Sequence, residues 1–134
     1  MRAVLDVNVL IAALLARDGA PARLLLRWLA GDYELVISEK ILSELSRALS
    51  YPRLRTRITE AAASEFVELL VGTATKGLDP DKPGRRSRDA GDDYVLALAA
   101  SASAVVVSGD RDLRDLGGDF PIYSPLEFLA TLKL

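Results

Sequence analysis

The chain has 134 residues, half of them hydrophobic and 27% charged, with a formal net charge of −2 at pH 7. That length suits a single domain, 1–134, with a real buried core, and the charge balance gives no global basic field for holding nucleic acid. The sequence holds neither Cys nor His, which excludes Cys/His zinc sites, thiol nucleophiles, Ser-His-Asp triads and His general bases, and makes the cytoplasm the expected compartment.

Arg2 to Asp6 reads as a short buried strand ending in an acid, followed by a helix over Val7 to Ala16 that Asp18 and Gly19 punctuate. Asp6 and Asn8 interrupt the apolar stretch, so the N-terminus reads as core and not as a targeting segment, and no segment is long enough to span a bilayer. Pro21 suits the first turn of a second helix running to about Ala30, where Gly31 stops it. Tyr33 to Ile37 is a second strand. Ser38 caps a helix over Glu39 to Leu49, with Ile41, Leu42, Leu45, Ala48 and Leu49 as its apolar stripe. Pro52 ends it, and Arg53, Arg55 and Arg57 follow in a basic turn.

Thr59 caps a helix to about Val71, and Thr73 to Leu78 holds a weak strand. Asp79 to Gly91 is rich in Pro, Gly and charge and reads as a loop. A helix opens at Asp92-Asp93 and runs to about Ala102, apolar nearly all round. Ala104 to Val107 is a strand made almost wholly of Val, as expected at the centre of a parallel sheet, and Ser108, Gly109 and Asp110 end it. A short helical turn, a strand near Ile122 and Tyr123, and a helix opened by Ser124-Pro125 complete the chain. Alternating strands and helices imply βαβ units and a parallel sheet covered on both faces.

In such sheets functional groups gather where the strands end. Asp6 closes the first strand and Asp110 closes the Val-rich one, so both reach one edge. Asp93 begins a helix that runs back across the sheet, which brings it to that edge too, with Asp92 competing for its role. Glu44 lies on the flank of an amphipathic helix, in line with Ile41 and Ala48, from where it can lean toward the same edge, although its local sequence alone does not single it out. Two carboxylates at ~4 Å repel by roughly 4 kcal/mol at an effective dielectric of about 20, so such a cluster must protonate or hold a cation. Oxygen-only donors point to Mg²⁺ or Mn²⁺, and the natural use is metal-assisted hydrolysis. Asn8 and Ser108 suit hydrogen bonding to Asp6 and Asp110, and Asp112 either assists the metal or starts the next turn.

The order of these blocks resembles the PIN-domain nucleases, above all the VapC-like toxin ribonucleases of toxin–antitoxin pairs. Val4 to Ile11 is similar to that family's first block, Val36 to Leu45 to its second with Glu44 as the acid, Asp89 to Ala99 to its third with Asp93, and Val106 to Leu113 to its fourth with Asp110. Ser108 stands where Thr is commoner. The resemblance implies a three-layer α/β/α sandwich with the parallel sheet in the order 3-2-1-4-5. It implies Mg²⁺- or Mn²⁺-dependent endonucleolytic cleavage of RNA, with Asp6, Asp93 and Asp110 holding the metal and Glu44 completing the catalytic set. A homodimer and a small antitoxin protein as partner are implied as well.

RNA approaching a negative pocket needs cations, and the local basic features are Arg53, Arg55 and Arg57, and the loop with Lys82, Arg85, Arg86 and Arg88. Other readings fit less well. A receiver-type phosphoacceptor domain wants a Lys near the last strand, and Lys40, Lys76, Lys82 and Lys133 all lie elsewhere. A phosphatase with an Asp nucleophile wants a second Asp where Asn8 stands. A non-catalytic RNA- or protein-binding module on the same fold would lack one or more of the acids, and all four are present.

Overall fold

Val4 and Leu5, Leu35 to Ile37, and Val106 and Val107 are all buried, with no alternation of inward and outward residues. Such runs suit parallel strands covered on both faces. The computed structural model describes residues 1–79, 90–109 and 121–132, the side chains of 90–93 excepted. Strands β1 (Arg2–Leu5), β2 (Glu34–Ile37), β3 (Thr75–Lys76), β4 (Val105–Val107) and β5 (Ile122–Tyr123) form one all-parallel sheet in the order β3-β2-β1-β4-β5. Helices flank it: α1 (Val7–Leu15), α2 (Ala20–Leu29), α3 (Glu39–Leu49), the single turn α4 (Pro52–Arg55), α5 (Glu60–Thr73), α6 (Ala90–Ala102) and α7 (Pro125–Thr131). This is the α/β/α sandwich and strand order expected above.

Side-chain caps write most of the helix starts. The Ser38 hydroxyl accepts from the Ile41 amide at 3.3 Å, and Thr59 accepts from Ala62 at 3.0 Å. Ser124 accepts from Glu127 at 3.1 Å while the Glu127 carboxylate accepts from the Ser124 amide at 2.8 Å, a reciprocal capping box. Gly31, with φ +88, takes the left-handed position just after α2, where a side chain would be strained.

Several boundaries differ from the sequence reading. Strand β1 ends at Leu5, because Asp6 turns its side chain to cap α1. Pro52 does not merely stop α3, which already ends at Leu49. It opens α4, where its fixed φ suits a first helical position. Helix α6 starts at Ala90, two residues ahead of Asp92.

Two contacts orient α6. Arg2, at the start of β1, donates to the Ala102 carbonyl at 3.2 Å. At the other end Tyr94 lies against Lys40, just past the end of β2. Helix α6 therefore begins at the edge where the strands end. A Cβ added to Gly77 would sit 2.6 Å from a Leu98 methyl group, so the glycine permits the close approach of this helix to the exit of β3. Among the described residues no helix is long and apolar enough to cross a membrane.

On the other flank α2 packs on α7. The Tyr33 ring meets the fully buried Phe128 edge-on at 5.2 Å, and its hydroxyl donates to the Leu24 carbonyl at 2.7 Å. Burial pushes the Tyr33 phenol well above its ordinary value of 10.0. The unfolded chain loses this proton near pH 10 while the folded chain keeps it, so the tyrosine's contribution is whole below that pH and declines as pH rises beyond it. Tyr33→Phe should cost about 1 kcal/mol at neutral pH. Urea unfolding above pH 10 should then show the gap closing, and a gap constant with pH would contradict this account.

Candidate active site

Asp6 follows β1 and is 7% exposed. Its amide donates to the Val107 carbonyl at 3.1 Å, which extends the β1–β4 ladder by one bond. Its side chain then leaves the sheet. One carboxylate oxygen accepts from the Val9 amide at 2.9 Å and so caps α1, and the other accepts from the Ser108 hydroxyl. A buried carboxylate is costly unless hydrogen-bonded. Here the bonds to both oxygens and the positive end of α1 offset that cost.

Ser108 is fully buried and follows β4 as Asp6 follows β1. Its amide donates to the Tyr123 carbonyl at 2.9 Å, so the hydroxyl is held between the ends of β1 and β5. The sequence reading had paired Asn8 and Ser108 with Asp6 and Asp110. The structure brings Ser108 to Asp6, and leaves Asn8 exposed, its side chain without a hydrogen bond among the described residues.

Glu44 lies on α3 beside the buried stripe of Ile41, Leu45 and Leu49. It is half-buried, and its side chain makes no hydrogen bond or ion pair among the described residues. Asp92 and Asp93 are the third and fourth residues of α6, so the backbone of the first turn carries both to the edge where Asp6 stands. Asp110 and Asp112 lie outside the described residues, as do Lys82, Arg85, Arg86 and Arg88. Among the described residues no three acids form a group that could hold a metal ion.

Arg53, Arg55 and Arg57 are exposed in and just after α4, beyond the end of α3 opposite its Ser38 cap. The 11 residues of α3 put roughly 16 Å between the two ends. Arg55 shares a groove with Glu60 and Glu68 of α5.

The sequence reading missed Lys40, Asp79 and Tyr94. Asp79 accepts from the Lys40 amide at 3.0 Å, and the Lys40 ammonium lies 4.0 Å from the centre of the Tyr94 ring. One clue was present, because a lysine in the first turn of a helix opposes the helix dipole and needs a compensating contact.

A family model described as PIN domain matches residues 2–112. The chain belongs to the PIN domain family. An uncharacterised protein of Methanocaldococcus jannaschii, MJ1680, is 25% identical over 124 residues, which cover 87% of this chain and 75% of that one. Among solved structures, PAE2754 from Pyrobaculum aerophilum aligns with a TM-score of 0.67 at 17% identity, over 98% of this chain and 89% of that one. VapBC2 from Rickettsia felis, bound to a DNA fragment from its promoter, aligns with a TM-score of 0.65 at 14% identity, over 91% of this chain and 97% of that one. These structures share the fold of this PIN domain.

The donors at this edge suit a hard divalent cation. Asp6 is a buried carboxylate, Asp93 shares its edge, and the chain has no thiol or imidazole to favour a softer metal.

Ser108→Ala should remove a hydrogen bond to a buried charge and cost about 1.5–3 kcal/mol in urea unfolding. Asp6→Asn should fold, because Asn caps a helix as well as Asp does. An unchanged urea midpoint for Ser108→Ala would mean that its hydroxyl does not support Asp6.

Proposed function

We propose that this PIN domain is an endoribonuclease that depends on Mg²⁺ or Mn²⁺ and hydrolyses RNA phosphodiester bonds. The observation that carries the reading is Asp6: a buried carboxylate where β1 ends, held on both oxygens, in a chain of the PIN family. Family membership supports a nuclease.

In this reading Asp6, Asp93 and Asp110 hold the ion, and Glu44 orients the attacking water. When bound, the ion supplies an acidified water and neutralises charge building on the phosphate. The rest falls to the chain. Ser108 and the Val9 amide fix the Asp6 carboxylate in one orientation, so little reorganisation is needed when substrate arrives. A metal site built from several carboxylates repels RNA, so in this reading the substrate is held from its periphery. Arg53 and Arg55, or Arg85, Arg86 and Arg88, are the cations proposed to meet its phosphates.

The likeness to VapBC2 supports a place in a toxin–antitoxin pair. This chain would be the toxin, inhibited by a small antitoxin protein and acting as a homodimer in the cytoplasm.

The purified chain with Mg²⁺ or Mn²⁺ should cleave RNA internally. Excess EDTA should abolish the cleavage, and Asp6→Asn and Asp93→Asn should each lower it by about a hundredfold or more. Robust cleavage by Asp6→Asn in EDTA would refute the mechanism.

A further inference from the structure

Asp93 has to be held at a fixed place before it can share a metal with Asp6, yet it sits in the first turn of a helix. First turns are the loosest part of a helix, because four of their amides lack intrahelical partners. The next residue, Tyr94, is not loose. Its ring is half-buried and carries the Lys40 ammonium over its face, 4.0 Å from the centre.

Lys40 is itself fixed. It is the second residue of α3, and its amide donates to Asp79 at 3.0 Å. Ser38 caps the same turn through Ile41, so two side chains from different parts of the chain secure it. The charge of Lys40 stands at the wrong end of the α3 dipole, which makes an aromatic face a favourable place for it. Lys40 and Glu44 are four residues apart on α3, hence on one face of the helix, and both are half-buried. The face of α3 that touches the start of α6 is therefore the face that carries Glu44.

We propose that Lys40 and Tyr94 are positioning residues of the metal site: their contact, anchored by Asp79, locks the first turn of α6 against α3 and so sets where Asp93 stands relative to Glu44 and Asp6. Neither residue touches the metal or the RNA. The proposal rests on the metal-dependent reading above.

The test is Mn²⁺ binding without RNA, followed by titration calorimetry, for wild type, Asp6→Asn, Lys40→Met, Lys40→Arg, Tyr94→Leu and Tyr94→Phe. Amide exchange in the first turn of α6 is measured on the same proteins. Lys40→Met and Tyr94→Leu should bind Mn²⁺ about three- to tenfold more weakly and exchange faster in that turn. Lys40→Arg and Tyr94→Phe keep a cation and a ring, and should stay near wild type. In RNA cleavage the two disruptive variants should lose kcat at saturating RNA, with KM and its salt dependence unchanged.

Wild-type affinity and exchange in both Lys40→Met and Tyr94→Leu, with binding abolished in Asp6→Asn, would overturn the clamp and leave the metal site standing. A higher KM with a flatter salt dependence in Lys40→Met, at unaltered Mn²⁺ affinity, would make Lys40 a phosphate contact and also overturn it. No Mn²⁺ binding by wild type would remove the metal reading itself. If Tyr94→Leu does not fold, Lys40→Met, which keeps the aliphatic stem, decides.

Discussion

The pairing of β1 with β4 brings Asp6 and Ser108 together across 102 residues of sequence, and a carboxylate that is 7% exposed must be satisfied there. One residue meets several demands at once. Its amide continues the ladder, one oxygen starts α1, and the other takes the Ser108 hydroxyl. Sheet register, helix start and carboxylate orientation are thereby coupled. A one-residue slip of β4 would move Ser108 away and leave a buried charge short of a donor, which is among the costlier defects a core can carry.

The topology of the sheet directs Asp6 and the start of α6 to one edge. Parallel strands end on one edge, and the helix that leads into the next strand must start there. Asp6 reaches that edge as the residue after β1. Asp93 reaches it because α6 runs back along the sheet, with its far end held by Arg2 and its near end by Lys40. Glu44 stands on the flank of α3 beside the buried stripe. Each acid rides on a different element, so the arrangement depends on how well those elements are fixed to one another. The Lys40–Tyr94 contact matters because it joins two of them.

Much of this was legible in the sequence, for local reasons. Ser38, Thr59 and Ser124 mark helix starts that a cap makes readable from four or five residues. The unbroken valines of β4 announce a strand with no solvent face. Asp6 stood out as an acid directly after a buried strand. What could not be read is what depends on two distant segments meeting. The choice of Ser108 over Asn8 as the partner of Asp6 follows from the β1–β4 register. Asp79 as a second cap on α3 depends on where β3 exits, and the ring under Lys40 depends on the direction of α6. The start of α6 at Ala90 was hidden by its setting, directly after a stretch whose composition reads as loop.

In the proposed mechanism Asp6 and the first turn of α6 face one divalent ion at the carboxyl edge of the sheet. Crystals soaked in Mn²⁺ and measured at the manganese edge test it directly. An anomalous peak is expected at about 2.0–2.3 Å from an Asp6 carboxylate oxygen, with Asp93 as a second ligand, and no such peak in Asp6→Asn crystals. A peak elsewhere on the chain, or an Asp6 carboxylate that keeps its hydrogen bonds and takes no ion at saturating Mn²⁺, would contradict it.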